Sequence, residues 1–98
     1  MKNNTCIQEA FMVSKYGVYE GKLMLHGRVL NPLKIEDRLF LVNHNGVIEQ
    51  SEVIIEKINA YRHVFHEISE GMTCELIAYG TNFHLEENCV FYMKKQEQ

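Results

Sequence analysis

The chain has 98 residues, enough for one hydrophobic core and too few for two. Its apolar fraction of 46% is that of an ordinary globular domain. Thirteen acidic against ten basic residues leave a formal charge of −3, which argues against a phosphate-binding surface spread over the whole molecule and leaves room for a local basic patch.

Cys6, Cys74 and Cys89 are an odd number and form no CxxC pair. They read as reduced, packed thiols rather than a disulfide frame. The start Met1-Lys2-Asn3-Asn4-Thr5-Cys6 lacks the apolar run of a signal peptide. No segment approaches the ~20 apolar residues that span a bilayer. A cytoplasmic chain with no membrane partner is expected, folded as a single domain over 1–98.

Residues 1–5 are polar and read as a loose tail. From Ile7 the chain is extended, with Ile7, Phe11 and Val13 on one parity, Ala10 and Met12 on the other, and β-forming residues running on to Tyr19. Glu20-Gly21-Lys22 turns the chain. Lys22 to Leu30 then alternates: Leu23, Leu25, Gly27 and Val29 face one way, and Met24, His26, Arg28 and Leu30 the other. Asn31-Pro32 breaks that strand, because proline has no N–H for the ladder. Arg38–Val42 is the next strand. Asn43-His44-Asn45-Gly46 ends in a strong hairpin signal, so Arg38–Val42 should pair antiparallel with Val47–Glu49.

Ser51 to Glu70 carries two patterns. Ile54, Ile58, Tyr61, Phe65 and Ile68 fall at helical spacing, with Gly71 where a helix would end. Yet Val53, Ile54, Ile55, Val64 and Phe65 are β-branched or aromatic, and no capping box opens the segment. Periodicity leaves both open: a helix over 52–69 laid on a sheet, or more strands. Met72 to Tyr79 is a clear strand closed by Gly80. Thr81-Asn82 turns, Cys89–Met93 is the last strand, and 94–98 is a charged tail. There is no internal repeat or linker.

From Phe11 to Met93 the order of these features resembles the second, β-barrel domain of translational GTPases such as elongation factor Tu. Gly27-Arg28-Val29 stands where that family ends a strand in threonine-glycine-arginine-valine. Lys34-Ile35-Glu36-Asp37 matches its lysine-valine-glycine-aspartate turn. Leu39-Phe40-Leu41, Ile58, Val64, Gly71 and Leu76-Ile77-Ala78-Tyr79-Gly80 follow at similar spacings. Departures are Glu36 in place of the turn glycine, His26 in place of threonine, Asn31-Pro32 after the arginine-valine strand, and Glu86-Glu87-Asn88 before the last strand. The resemblance implies an all-β fold, a small closed antiparallel Greek-key barrel of six or seven strands, with 51–70 forming two strands around Asn59–Ala60. Closure removes exposed sheet edges. Leu23, Leu25, Val29, Leu39, Leu41, Ile58, Leu76 and Ala78 are then the core, each burial worth roughly 1.5–3 kcal/mol. Gly27 marks a bend or a close backbone approach.

The chain has no GxxxxGK[ST] loop, so nucleotide hydrolysis is not expected. His63 and His66, three apart, would share a face on a helix and diverge on a strand, so a metal site follows only from the helix reading. Ser14, Ser51 and Ser69 lie in no GxSxG context, and Cys74 and Cys89 sit within strands, where buried thiols are inert. The runs 67–70 and Glu86-Glu87 read as solvated rims. Tyr61-Arg62-His63, and Lys15 with Tyr16 and Tyr19, combine aromatic and basic residues as a stacking platform or an exposed strand face would. No catalytic constellation, cofactor or metal site is therefore expected. The expected function is a non-enzymatic, translation-factor-like binding module. Its candidate surface is Tyr61, Arg62 and His63 and its partner another protein, for instance the basic partner of an immunity- or antitoxin-like chain. RNA is the alternative partner that the resemblance implies, and a small metal- or ligand-binding enzyme is the third reading.

Overall fold

The computed structural model describes residues 7–42, 48–80 and 89–94. The turns expected at Asn43–Gly46 and Thr81-Asn82, and the tails at 1–5 and 95–98, lie outside them. The described residues form strands and turns, with no helix. The strands are β1 (Ile7–Tyr19), β2 (Lys22–Val29), β3 (Leu33–Lys34), β4 (Arg38–Val42), β5 (Ile48–Ala60), β6 (His63–Phe65), β7 (Glu67–Ile68), β8 (Thr73–Gly80) and β9 (Val90–Lys94). Lys94, expected in the tail, closes β9 opposite Ile7.

The helix over 52–69 is not formed. β5, β6 and β7 occupy that segment. Its helical spacing is an accident of a bulge. Ile55 pairs with Ala78 and Lys57 with Ile77, which leaves Glu56 as an extra residue. Val53, Ile55 and Ile58 are thereby fully buried, while Ile54 stays half-exposed on the other side. In an unbroken strand Ile54 and Ile58 would share a face.

Seven antiparallel strands run in the order β4-β9-β1-β2-β8-β5-β6, and β4 pairs with β5 as well. Six strands therefore close into a ring, with β6 added to the edge of β5. β4 pairs antiparallel with the strand after it as expected, but only Val42, opposite Ile48, meets Val47–Glu49; Arg38, Leu39 and Phe40 lie opposite Ile54, Val53 and Glu52. The registers are steeply staggered. Leaving β1 at Phe11, the pairing passes through Phe91 and then from Tyr92 to Phe40. It continues from Phe40 to Glu52, and from Val53 to Gly80. From Ala78 it crosses to Leu23 and returns to β1 at Val18, not Phe11. Such a stagger is what closing a small sheet requires.

Two bulges in β1 keep its apolar side chains in phase with the interior. Ala10 is extra against β9 and Ser14 against β2. Consecutive Ala10 and Phe11 therefore both point inward, and the Ser14 hydroxyl donates to the His26 carbonyl at 3.1 Å. The core includes Phe11, Val13, Leu25, Val29, Leu39, Leu41, Val53, Ile55, Ile58, Leu76, Ala78 and Phe91. Every expected core residue is in it except Leu23, which packs half-buried against its edge. Among the described residues no polar or charged residue is buried.

Gly27 is a close backbone approach. A side chain there would fall on the carbonyl oxygen of Met12, and one at Gly80 on that of Glu52. The small β3–β7 ladder sends Leu33 and Ile68 into the same core. It is tied to the ring by the Glu36 N–H donating to the Ile55 carbonyl at 2.7 Å and the Ile55 N–H donating to that of Asp37 at 3.0 Å.

Candidate interaction surfaces

The three residues singled out by sequence sit together at the tip of the β5–β6 hairpin. Ala60 pairs with His63, so the loop is only Tyr61-Arg62. Both take positive φ, 52° and 66°, the pattern of a type I′ turn, which matches the right-handed twist of the flanking strands. The turn therefore lies two residues beyond Asn59–Ala60, where the resemblance placed it. Asn59 stays in the ladder, and its side-chain amide donates to Glu75 at 3.1 Å. Asn-Gly is the pair that makes such a turn without strain; a tyrosine and an arginine carry no turn signal.

The tip is exposed. Tyr61 is 67% and Val64 64% accessible, and Arg62 and His63 are exposed too. The His63 ring stands edge-on to Phe65, 6.4 Å between centroids at 84°. Phe65 is half-buried and packs against the core, so it anchors the hairpin while its neighbours project. Among the described residues β6 pairs only with β5, which leaves its outer backbone edge open to another strand. His66 follows β6 at a bend, where its carbonyl accepts from the Ile35 N–H at 2.9 Å. Among the described residues no three His, Cys, Asp or Glu side chains converge as a metal site would need.

The second candidate platform is divided. Lys15 pairs with His26 and Tyr19 with Lys22 on the outer face of the sheet, whereas Tyr16 pairs with inward-facing Leu25. Cys74 is buried, and that burial, with the nearby Glu75 carboxylate second, pushes its thiol up to about 11. It is thus protonated and unreactive in the fold at neutral pH.

Sequence reasoning did not find the cleft between the β3–β7 ladder and the ring. It encloses about 740 Å³. Leu33, Phe40, Ile68 and Met93 give it an apolar wall, and Lys34, Arg38, Lys94, Glu36, Glu52 and Glu67 ring it with charge of both signs. Arg38 and Glu52 neutralise each other at 3.1 Å across its mouth. Its parts come from five strands and a turn, so no local motif could announce it. No helix is long and apolar enough to cross a membrane among the described residues.

Comparisons with protein-family models, with curated proteins and with solved structures find no match to this chain.

Proposed function

We propose that this chain is a non-enzymatic binding module whose β5–β6 hairpin tip, Tyr61, Arg62 and His63, docks onto another protein. One observation carries the reading: two consecutive non-glycine residues hold positive φ at an exposed tip. A left-handed residue other than glycine costs about 1–2 kcal/mol, and neither side chain returns that within the molecule, being exposed. The hairpin needs this conformation, but asparagine and glycine would supply it without strain, so a tyrosine and an arginine kept there point to a use outside the fold. Tyrosine and arginine are also the residue types that dominate binding energy at protein interfaces.

The reading includes the architecture. The closed ring is proposed to be a Greek-key barrel of the translation-factor domain 2 type, standing alone. What supports this is the turn at 34–37. The Asp37 N–H donates to the Lys34 carbonyl at 3.1 Å, and the third residue of the turn, Glu36, takes φ 75°. The resembled family keeps glycine at that position, and a left-handed conformation explains why. An acidic chain masking a basic partner, as immunity and antitoxin proteins do, fits the net charge of −3.

The test is affinity capture from the cells that make the protein, with the wild type and a Tyr61→Ser, Arg62→Ser variant. The wild type should retain one protein in stoichiometric amount and the variant lose it. Equal capture by both chains would overturn the assignment.

A further inference from the structure

Strand alternation and the bulges at Ser14 and Glu56 turn one continuous set of side chains outward from β1, β2, β8 and β5. Its middle, between Met12 and Tyr19 of β1, carries more cations than carboxylates. Lys15, Lys22, Arg28 and Lys57 lie there against the carboxylates Glu56 and Glu75, with Glu20 at the margin on the β1–β2 turn; Glu9 and Glu52 face outward beyond it, at the ends of β1 and β5, and Glu52 is held by Arg38 at 3.1 Å. The whole chain has ten such cations and thirteen carboxylates. The two carboxylates in the middle of the face are engaged: Glu56 by Lys22 at 2.7 Å, and Glu75 by His26 at 3.0 Å. Lys15, Arg28 and Lys57 have no carboxylate partner among the described residues.

Two tyrosines project from the same face: Tyr19, 63% accessible, and Tyr79, 45% accessible. Between them and the His26–Glu75 pair runs an apolar floor, where Met24 pairs with both Gly17 and Ile77. Nothing lies within 4 Å of where a Gly17 side chain would stand, so the floor is open over β1. We propose that this face binds single-stranded nucleic acid, with bases stacked on Tyr19 and Tyr79 over the Met24–Ile77 floor and phosphates met by Lys15, Arg28 and Lys57.

The occupant follows from the charges and the rings together. Exposed aromatic rings beside unpaired cations suit bases whose faces are free, and stacking on them tolerates any sequence. A duplex hides those faces and asks for a broader basic surface, which a chain of charge −3 does not offer. The proposal goes beyond the hairpin reading and uses neither Tyr61 nor Arg62, so either can fail alone.

The test is fluorescence anisotropy of the intact chain with labelled oligouridylate, oligothymidylate and a duplex of the same length. At least one single strand should bind, and at least ten-fold tighter than the duplex. Three phosphate contacts predict an affinity loss of about twenty-fold between about 50 and 200 mM salt. Tyr19→Ala and Tyr79→Ala, both at exposed positions, should each weaken binding at least about five-fold, with circular dichroism unchanged. Oligouridylate alone binding would assign the face to RNA, and oligothymidylate alone to DNA. No binding by either, equal binding of duplex, salt-independent binding, or no effect of both tyrosine variants in folded protein would overturn the proposal.

Discussion

A methyl group at Gly27 would land on the Met12 carbonyl oxygen and against the Phe11 ring, and strand backbone on both sides leaves it nowhere to go. Gly27→Ala should therefore cost about 1–3 kcal/mol or more, measured by urea denaturation. Gly17→Ala meets nothing within 4 Å and should be neutral or stabilise by up to about 1 kcal/mol. Equal losses at the two sites would contradict the packing described. Cys74 gives the other residue-scale prediction. Its thiol ionises near pH 9 when unfolded and at about 11 when folded, because burial and then Glu75 disfavour the thiolate. The folded state thus holds the proton longer. Its contribution is full below pH 9 and is lost as pH rises from 9 towards 11. Denaturation of wild type and Cys74→Ala across that window should show the extra decline only in the wild type.

At the scale of elements, the β3–β7 ladder is only two residue pairs long, too short to stand by its hydrogen bonds. Leu33 and Ile68, 1% and 5% accessible, hold it to the ring. Ile68→Ala should cost roughly 2–5 kcal/mol in a urea titration; a loss under about 1 kcal/mol would mean the ladder is not pinned as described. The alternation of Lys22–Val29 was legible because Leu25, Gly27 and Val29 need no partner to show their side. The phase of β1 was not. Ala10 and Phe11 share the interior only because β9, from the far end of the chain, makes Ala10 a bulge. The same cause hid the strand character of β5, where Glu56 moves Ile54 and Ile58 to opposite faces. Tyr61 and Arg62 were readable as exposed and chemically notable, but not as a turn, since their left-handed conformation opposes their own preferences. Strand-like backbone chemical shifts over 52–60 are expected; helical shifts there would contradict the fold.

For the whole molecule, closure keeps the stabilising core apart from the surfaces proposed to bind. The ring buries its apolar side chains inward, and the exposed ion pairs, such as Lys22–Glu56 and Arg38–Glu52, add roughly 0–1 kcal/mol each. The hairpin tip and the outer face are thus left to change without disturbing the core. The cleft beside β3–β7 was invisible in the sequence because it is made by residues that meet only after distant strands pair; closure was expected through the family resemblance and not from the local residue pattern.

The sharpest measurement is the double variant Tyr61→Asn, Arg62→Gly, compared with wild type in thermal melting and in partner capture. Asparagine and glycine accept the left-handed turn, so stability should rise by about 1 kcal/mol, which for a chain this size is roughly 4–8 °C in Tm. Capture should be lost in the same variant. A melting temperature that falls while the partner is still retained would contradict both the strained turn and its use.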